Sequence, residues 1–368
     1  MKVVQVLPRL HGGGVERGTI EIAAYLKHLG HEAVVISEGG PLVKELSTLG
    51  VTHVQLSVGT KSLQALRGLW QLRKFLIETR PDIVHSRSRL PGWLCFLAMK
   101  LLPNSVRTRF VTSVHGLHSV SWYSAIITKG ERIEAVSNAA QSYLLDNYQG
   151  FDHSRVRVIP RGVDPLEFST KFEPQRTWNE EWLTWCRERQ ISGAPIVSIV
   201  GRISRLKGHH DFLSVIELLH QQDLPAIGLI IGGESEGHTV LHQELQERVE
   251  KSAILRSSVY FLGQRTDVRE LMTISNFVVS FSSTPEAFGR TVLESLTLGV
   301  PVVGYDHGGV GDLLKTLYPV GAVPVGNVQV AADRIKELHA QQHPIESHEM
   351  TLQAMREKTV AMYEELLC

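Results

Sequence analysis

Short runs of Val, Ile and Leu alternate along the chain with longer stretches in which apolar residues recur every three or four positions. That alternation marks βαβ units, in which parallel strands buried on both faces are joined by amphipathic helices. The apolar runs predict strands over 3–7, 33–37, 53–56, 83–85, 110–114, 132–135 and 156–159 in the first half. In the second half they predict strands over 196–200, 226–231, 259–262, 277–280, 302–304 and 322–325. Helical spacing fills the gaps, as over 15–29, stopped by Gly30, and over 63–78, stopped ahead of Pro81.

The strand pattern lapses once, after Arg161, into Pro165, Pro174 and three tryptophans, Trp178, Trp182 and Trp185, on one helical face. Those tryptophans read as packing residues rather than as a sugar-stacking platform. The lapse divides the chain into a first domain over 1–165, a linker over 166–190, a second domain over 191–345 and a C-terminal helical segment over 346–368. The fold class is α/β, two doubly wound domains in tandem with a cleft between the carboxyl ends of their strands, where ligands of open sheets bind. Helices are predicted over 330–340 and 347–367, the second reaching back to the first domain.

Charge changes this picture. The 38 Lys and Arg balance the 38 Asp and Glu, yet residues 1–165 hold 20 basic against 12 acidic groups and the remainder 18 against 26. The basic half is therefore expected to meet an anionic partner. Three scattered cysteines, Cys95, Cys186 and Cys368, give neither a disulfide framework nor a zinc site, which suits a reducing cytoplasm. No secretory leader is recognised at the start, and the apolar run 93–102, interrupted by Lys100, is about half the roughly 20 residues that span a bilayer.

Four segments at expected strand ends carry chemistry. Residues 11–18 form a glycine-rich turn before a helix, in which Gly13 and Gly14 allow close approach of backbone N–H groups to an anion. A dinucleotide fingerprint fails there, because Arg17 stands where the third glycine belongs, although Glu38 occupies the ribose-binding position. Residues 201–209 place Gly201, Arg202, Arg205, Lys207 and Gly208 after a strand and before a helix, a set suited to a diphosphate, and no Walker A sequence is present. Residues 283–294 hold Glu286 on a loop and Glu294 on the helix that follows, two carboxylates able to accept hydrogen bonds from sugar hydroxyls. A fourth segment ends in His115, at a strand terminus, followed by Gly116.

In this order and at these strand ends, the GGVER loop, the VHG histidine, the GR-x4-KG loop and the E-x7-E pair of Glu286 and Glu294 resemble the retaining GT-B glycosyltransferases of family 4, or group 1. The resemblance covers nearly the whole chain. Members that build lipopolysaccharide or other envelope glycans are similar through residues 85–91 and 158–164. It implies transfer of a sugar from a nucleotide-diphosphate sugar, with uridine diphosphate the foremost candidate, to a hydroxyl of a glycan or lipid-linked acceptor, with retention and without a metal or cofactor.

By the same resemblance Arg202 and Lys207 neutralise the departing diphosphate, Glu286 and the backbone of Phe288 and Gly289 hold the sugar, and Glu294 holds the ribose. Arg290 belongs with the donor site, Gly201 and Arg265 border it, Gly13 and Gly14 approach its phosphate, and His115 sits near the reaction centre. Arg87, Arg89 and Arg161 are expected to face the acceptor, while Lys61, Arg67, Arg73, Lys74, Arg87, Arg89, Arg107 and Arg109 are expected to face anionic lipid or phosphorylated core oligosaccharide, with peripheral, salt-sensitive attachment to the inner face of the cytoplasmic membrane. Ala287, where many relatives have Gly, is a mild departure, and no DxD motif is present. The alternatives are a nucleotide-sugar 2-epimerase on the same fold and a non-catalytic glycan-binding member. Nucleic-acid binding has no supporting module.

Overall fold

The computed structural model describes residues 1–60, 63–234, 239–341 and 343–368. Two compact units result: one comprises Met1–Gly162 together with Leu352–Cys368, the other Val163–Thr351.

The first unit is built on seven strands, β1 (Lys2–Val6), β2 (Glu32–Ser37), β3 (Thr52–Gln55), β4 (Ile83–Ser86), β5 (Arg109–Val114), β6 (Arg132–Ala135) and β7 (Val156–Val158), in the order β3-β2-β1-β4-β5-β6-β7. Every pairing is parallel. Alternation along β1 sorts its side chains: Val3 and Leu7 join a core with Ile20, Ile22 and Leu26 of helix Gly14–His28, while Val4 and Val6 face Leu69, Leu72, Leu76 and Leu94 on the other side. The C-terminal helix Leu352–Glu364 completes the first of these cores with Met355, Val360, Met362 and Tyr363. It begins later than the expected 347, because the backbone of Met350 and Thr351 is extended and pairs with Val163.

The second unit has six strands, β8 (Ile196–Val200), β9 (Ile227–Ile231), β10 (Val259–Gly263), β11 (Phe277–Ser280), β12 (Val302–Tyr305) and β13 (Ala322–Val323), in the order β10-β9-β8-β11-β12-β13. It repeats the connectivity of the first unit, again wholly parallel. β13 stops short of the expected 325 where Pro324 removes a ladder donor.

Residues 166–190, expected as a linker, belong to this second unit. Helix Arg176–Glu188 stacks Trp178 on Trp182 and Trp182 on Trp185, and Trp185 meets Tyr260 of the edge strand β10 at 5.0 Å. The Trp178 indole donates to Asp267 over 2.7 Å. With Arg189 over the free side of Trp185 at 4.4 Å, the indoles cover one another and a sheet edge, which is the packing role expected of them.

Candidate active site

In both sheets the strand order reverses beside the first strand, between β1 and β4 and between β8 and β11. Ligands of open parallel sheets bind outside the carboxyl ends of the strands at such points. The glycine-rich turn follows β1 and the 201–208 loop follows β8, while the segment bearing Glu286 follows β11, so the motifs fall on these positions.

In the second unit Lys207 donates to Glu286 over 2.7 Å, and the Ser282 hydroxyl donates to the same carboxylate oxygen. His307, after β12, donates from Nε2 to the Ser282 carbonyl at 2.8 Å and so fixes the loop that carries the serine. Burial alone would raise the Glu286 carboxyl, but the Lys207 charge and the hydrogen bonds from Lys207 and Ser282 hold it below the usual range. Arg202 is exposed and makes no hydrogen bond or ion pair with the described residues. Gly208 must be glycine: its φ is 74°, and a Cβ there would lie 1.9 Å from the Phe281 carbonyl oxygen.

Glu294 lies in helix Arg290–Thr297 and accepts from Arg290 Nε at 2.8 Å. Its partial burial is thus offset within the helix, without recourse to a ligand. Phe288 and Gly289 are buried ahead of that helix, with Gly289 at its N-cap. Gly201 opens the β8 loop beside Lys207. Arg265 is a different case, since its guanidinium donates to Asp267 at 2.8 and 2.7 Å, the carboxylate that also accepts from Trp178.

In the first unit the turn 11–14 is exposed, with Gly13 at the N-cap and Gly14 the first residue of helix Gly14–His28. Glu38, the ribose candidate of the dinucleotide reading, instead accepts from the Gly59 amide and the Thr60 hydroxyl at 2.8 and 2.9 Å.

Two of the three expected acceptor arginines require correction. Arg87 is 1% exposed: its guanidinium donates to Glu134 over 2.6 Å and to the Gly18 carbonyl over 3.3 Å. Arg161, 6% exposed, lies 3.9 Å from Glu134 and 2.8 Å from His115 Nδ1. A Cβ on Gly18 would come within 2.6 Å of Arg161, so the glycine admits the guanidinium. Both arginines serve a buried carboxylate, which would be costly to leave unpaired. Arg89 alone of the three is open at the surface side, and it donates to Ser124 at 3.0 Å. Lys61 lies outside the described residues.

The pair of arginines belongs to a network that the motifs did not reveal. Ser113 donates to Glu134 at 2.5 Å, and His85 bridges Ser113 at 2.5 Å and the Tyr363 hydroxyl of the C-terminal helix at 2.6 Å. Burial acts to raise the Glu134 carboxyl, and Arg87 and Arg161 overcome it, holding it far below its ordinary value. Burial and then the neighbouring arginines hold His85 and His115 neutral. The available signal was the interruption of three adjacent apolar strands, β4, β5 and β6, by His85, Ser113 and Glu134.

Two parallel doubly wound sheets, each with a ligand-type motif at its reversal point, make a two-domain α/β ligand-binding architecture, and the family comparisons specify it further. Residues 12–166 match the model of Glycosyltransferase Family 4 and residues 186–358 that of Glycosyl transferases group 1. Together the two models span most of the chain, which belongs to this GT-B family and is a glycosyltransferase.

Among its relatives is the lipopolysaccharide core biosynthesis mannosyltransferase LpsB of Rhizobium meliloti, 26% identical over 329 residues, 88% of this chain and 81% of the relative. The crystal structure of a glycosyltransferase from Rickettsia africae is 29% identical, with a TM-score of 0.83 over 100% of this chain and 98% of that one. Anabaena HepE, solved with UDP-glucose, shares the fold at 19% identity and a TM-score of 0.79, covering 100% of this chain and 98% of that one.

Proposed function

We propose that the protein transfers a sugar from a nucleotide-diphosphate donor, with uridine diphosphate the foremost candidate, to a hydroxyl of an envelope glycan or lipid-linked acceptor, retaining the anomeric configuration. The observation that carries this reading is the cluster at the β8 and β11 ends, where Lys207, Glu286 and Ser282 converge, with the exposed Arg202 on the loop that bears Lys207. Similarity to LpsB supports an envelope glycan as the product.

Breaking a sugar–phosphate bond builds positive charge at the anomeric carbon and negative charge on the diphosphate. Arg202 and Lys207 are the groups proposed to meet that negative charge, as preorganised donors each worth about 3 kcal/mol in the transition state. They supply it without a metal or cofactor. Glu286 accepts from sugar hydroxyls, with the backbone of Phe288 and Gly289 beside it, and Glu294, oriented by Arg290, accepts from the ribose. Gly201 leaves space for Lys207, and Gly13 and Gly14 offer backbone N–H groups to phosphate.

In the first unit His115, neutral and braced by Arg161, hydrogen-bonds a sugar hydroxyl, and Arg89 faces the acceptor. Retention, by front-face attack, is taken from the family resemblance, and no carboxylate is assigned as a nucleophile. We place the enzyme in the cytoplasm, at the membrane's inner face. No helix among the described residues is long and apolar enough to cross a membrane.

The deciding experiment is a calorimetric and thermal-shift panel of UDP, GDP, ADP and their sugars, on the wild type and on Glu294→Ala. Selective binding of one nucleotide, weakened at least tenfold in the variant, is the expected result. Binding of none, or equal binding by the variant, would sink the donor assignment.

A further inference from the structure

The first unit carries an exposed apolar stripe that its sheet packing leaves uncovered. Leu66 and Trp70 of helix Leu63–Thr79 are each 58% exposed, Leu97 and Leu101 at the end of helix Arg89–Lys100 are 43% and 46% exposed, and Trp122 after β5 is 77% exposed. Trp93 and Arg73 link the elements that carry the five. Trp122 packs on Trp93 at 5.7 Å, and Trp93, Leu97 and Leu101 follow one another at single helical turns. The Leu101 carbonyl accepts from Arg73 Nε at 2.9 Å, and the Arg73 guanidinium lies 5.9 Å from the Trp70 ring, one turn from Leu66.

Cations are interleaved with the stripe. Arg67 and Lys74 are exposed beside Trp70, and Lys100 stands 5.4 Å from the Phe96 ring. In helices Leu63–Thr79 and Arg89–Lys100 Glu78 is the one acid, and Lys74 lies 3.7 Å from it. Contiguous exposed apolar surface marks an interaction site. Tryptophan with flanking Lys and Arg is the composition that settles at a bilayer surface, where indoles take the headgroup level and cations reach lipid phosphates. The whole unit has 22 Lys and Arg against 14 Asp and Glu, which selects an anionic surface.

We propose that this stripe docks on an anionic lipid bilayer, with Trp70, Trp122, Leu97 and Leu101 entering the headgroup region and Arg67, Lys74 and Lys100 meeting lipid phosphates. It deepens the membrane-facing part of the proposed function but stands on the first unit's geometry, independent of the donor. It also changes the mode of attachment expected from charge alone. Arg87 is buried and contributes nothing, while the apolar residues add a component that salt does not screen.

The test is co-sedimentation of the full chain, without any donor, with vesicles of phosphatidylglycerol and phosphatidylcholine or of phosphatidylcholine alone. Binding is expected for the anionic vesicles, weakened but not abolished by 0.5 M salt. Trp70→Ser with Leu101→Ser should lower it at least tenfold, and Arg67→Glu with Lys74→Glu about as much, at roughly fivefold per cation lost. The substituted side chains are exposed, so unchanged melting shows that each variant is folded.

Brominated acyl chains should quench tryptophan emission in the wild type, and much less in Trp70→Phe with Trp122→Phe. Failure to bind either vesicle, equal binding by both variants, binding lost wholly in salt, or a dimer dissolved by Trp70→Ser would each overturn the proposal. Nucleotide titration of the same preparations reports separately on the donor site.

Discussion

Lys207, the cation proposed to meet the donor diphosphate, is already held by Glu286 over 2.7 Å. A bound diphosphate must therefore share or displace that carboxylate, and the two anions compete for one ammonium group. Glu286→Gln should then bind a bare nucleoside diphosphate more tightly, by an amount of order 1 kcal/mol or about fivefold, while transfer falls steeply. Calorimetry with the diphosphate, set beside turnover of the sugar donor, separates the two effects; weaker diphosphate binding in the variant would refute the competition. Lys207→Ala should lose about a hundredfold or more in turnover. Gly208→Ala should cost several kcal/mol by urea denaturation, since both φ and the Phe281 carbonyl oppose a side chain there.

At the scale of elements, a buried hydrogen bond ties the C-terminal helix to the sheet, Tyr363 to His85 at 2.6 Å. Tyr363→Phe keeps the packing and leaves a buried imidazole nitrogen unpaired, so it should lower stability by about 1–3 kcal/mol in urea melts. An unchanged midpoint would show that the bond is dispensable. This tie was hidden in the sequence because its partners are 278 residues apart.

The strands were legible because most are short runs rich in Val and Ile, and all thirteen lie where the apolar pattern puts them to within two end residues. The phosphate-type loop and the two glutamates were legible because their order and spacing are local. What was not legible was orientation: Arg87 and Arg161 look like surface cations until Glu134 is seen to draw them inward. The tryptophan segment misled for a related reason, since a stretch rich in Pro and Trp reads as a connection although its indoles close the β10 edge.

For the molecule as a whole, the buried network sets a pH dependence. His85 and His115 are neutral in the folded protein and ionise near 6.5 when it unfolds, so the unfolded chain binds more protons as pH falls below 6.5. The stability they confer is complete above that pH and declines below it, by up to about 1.4 kcal/mol per pH unit for each histidine. Glu134 adds a second loss below about 4.5, where the unfolded carboxyl protonates before the folded one. Thermal midpoints should thus fall between pH 7.5 and 5.5, and a flat profile would mean that neither ring is held neutral in the native state.

The chain leaves its first unit at Gly162, runs through the second and returns at Leu352, with Val163 and Thr351 paired side by side at the two crossings. On the ribosome this ordering imposes a delay. Every strand of the first sheet has been made by Val158, yet the helix that covers one face of it waits for the 189 residues of Val163–Thr351. At roughly 5–20 residues per second that is about 10–40 s of translation. During this interval Ile20, Leu26 and their neighbours lack Met355, Met362 and Tyr363, so the nascent first half is the stage at which a chaperone would find apolar surface to hold.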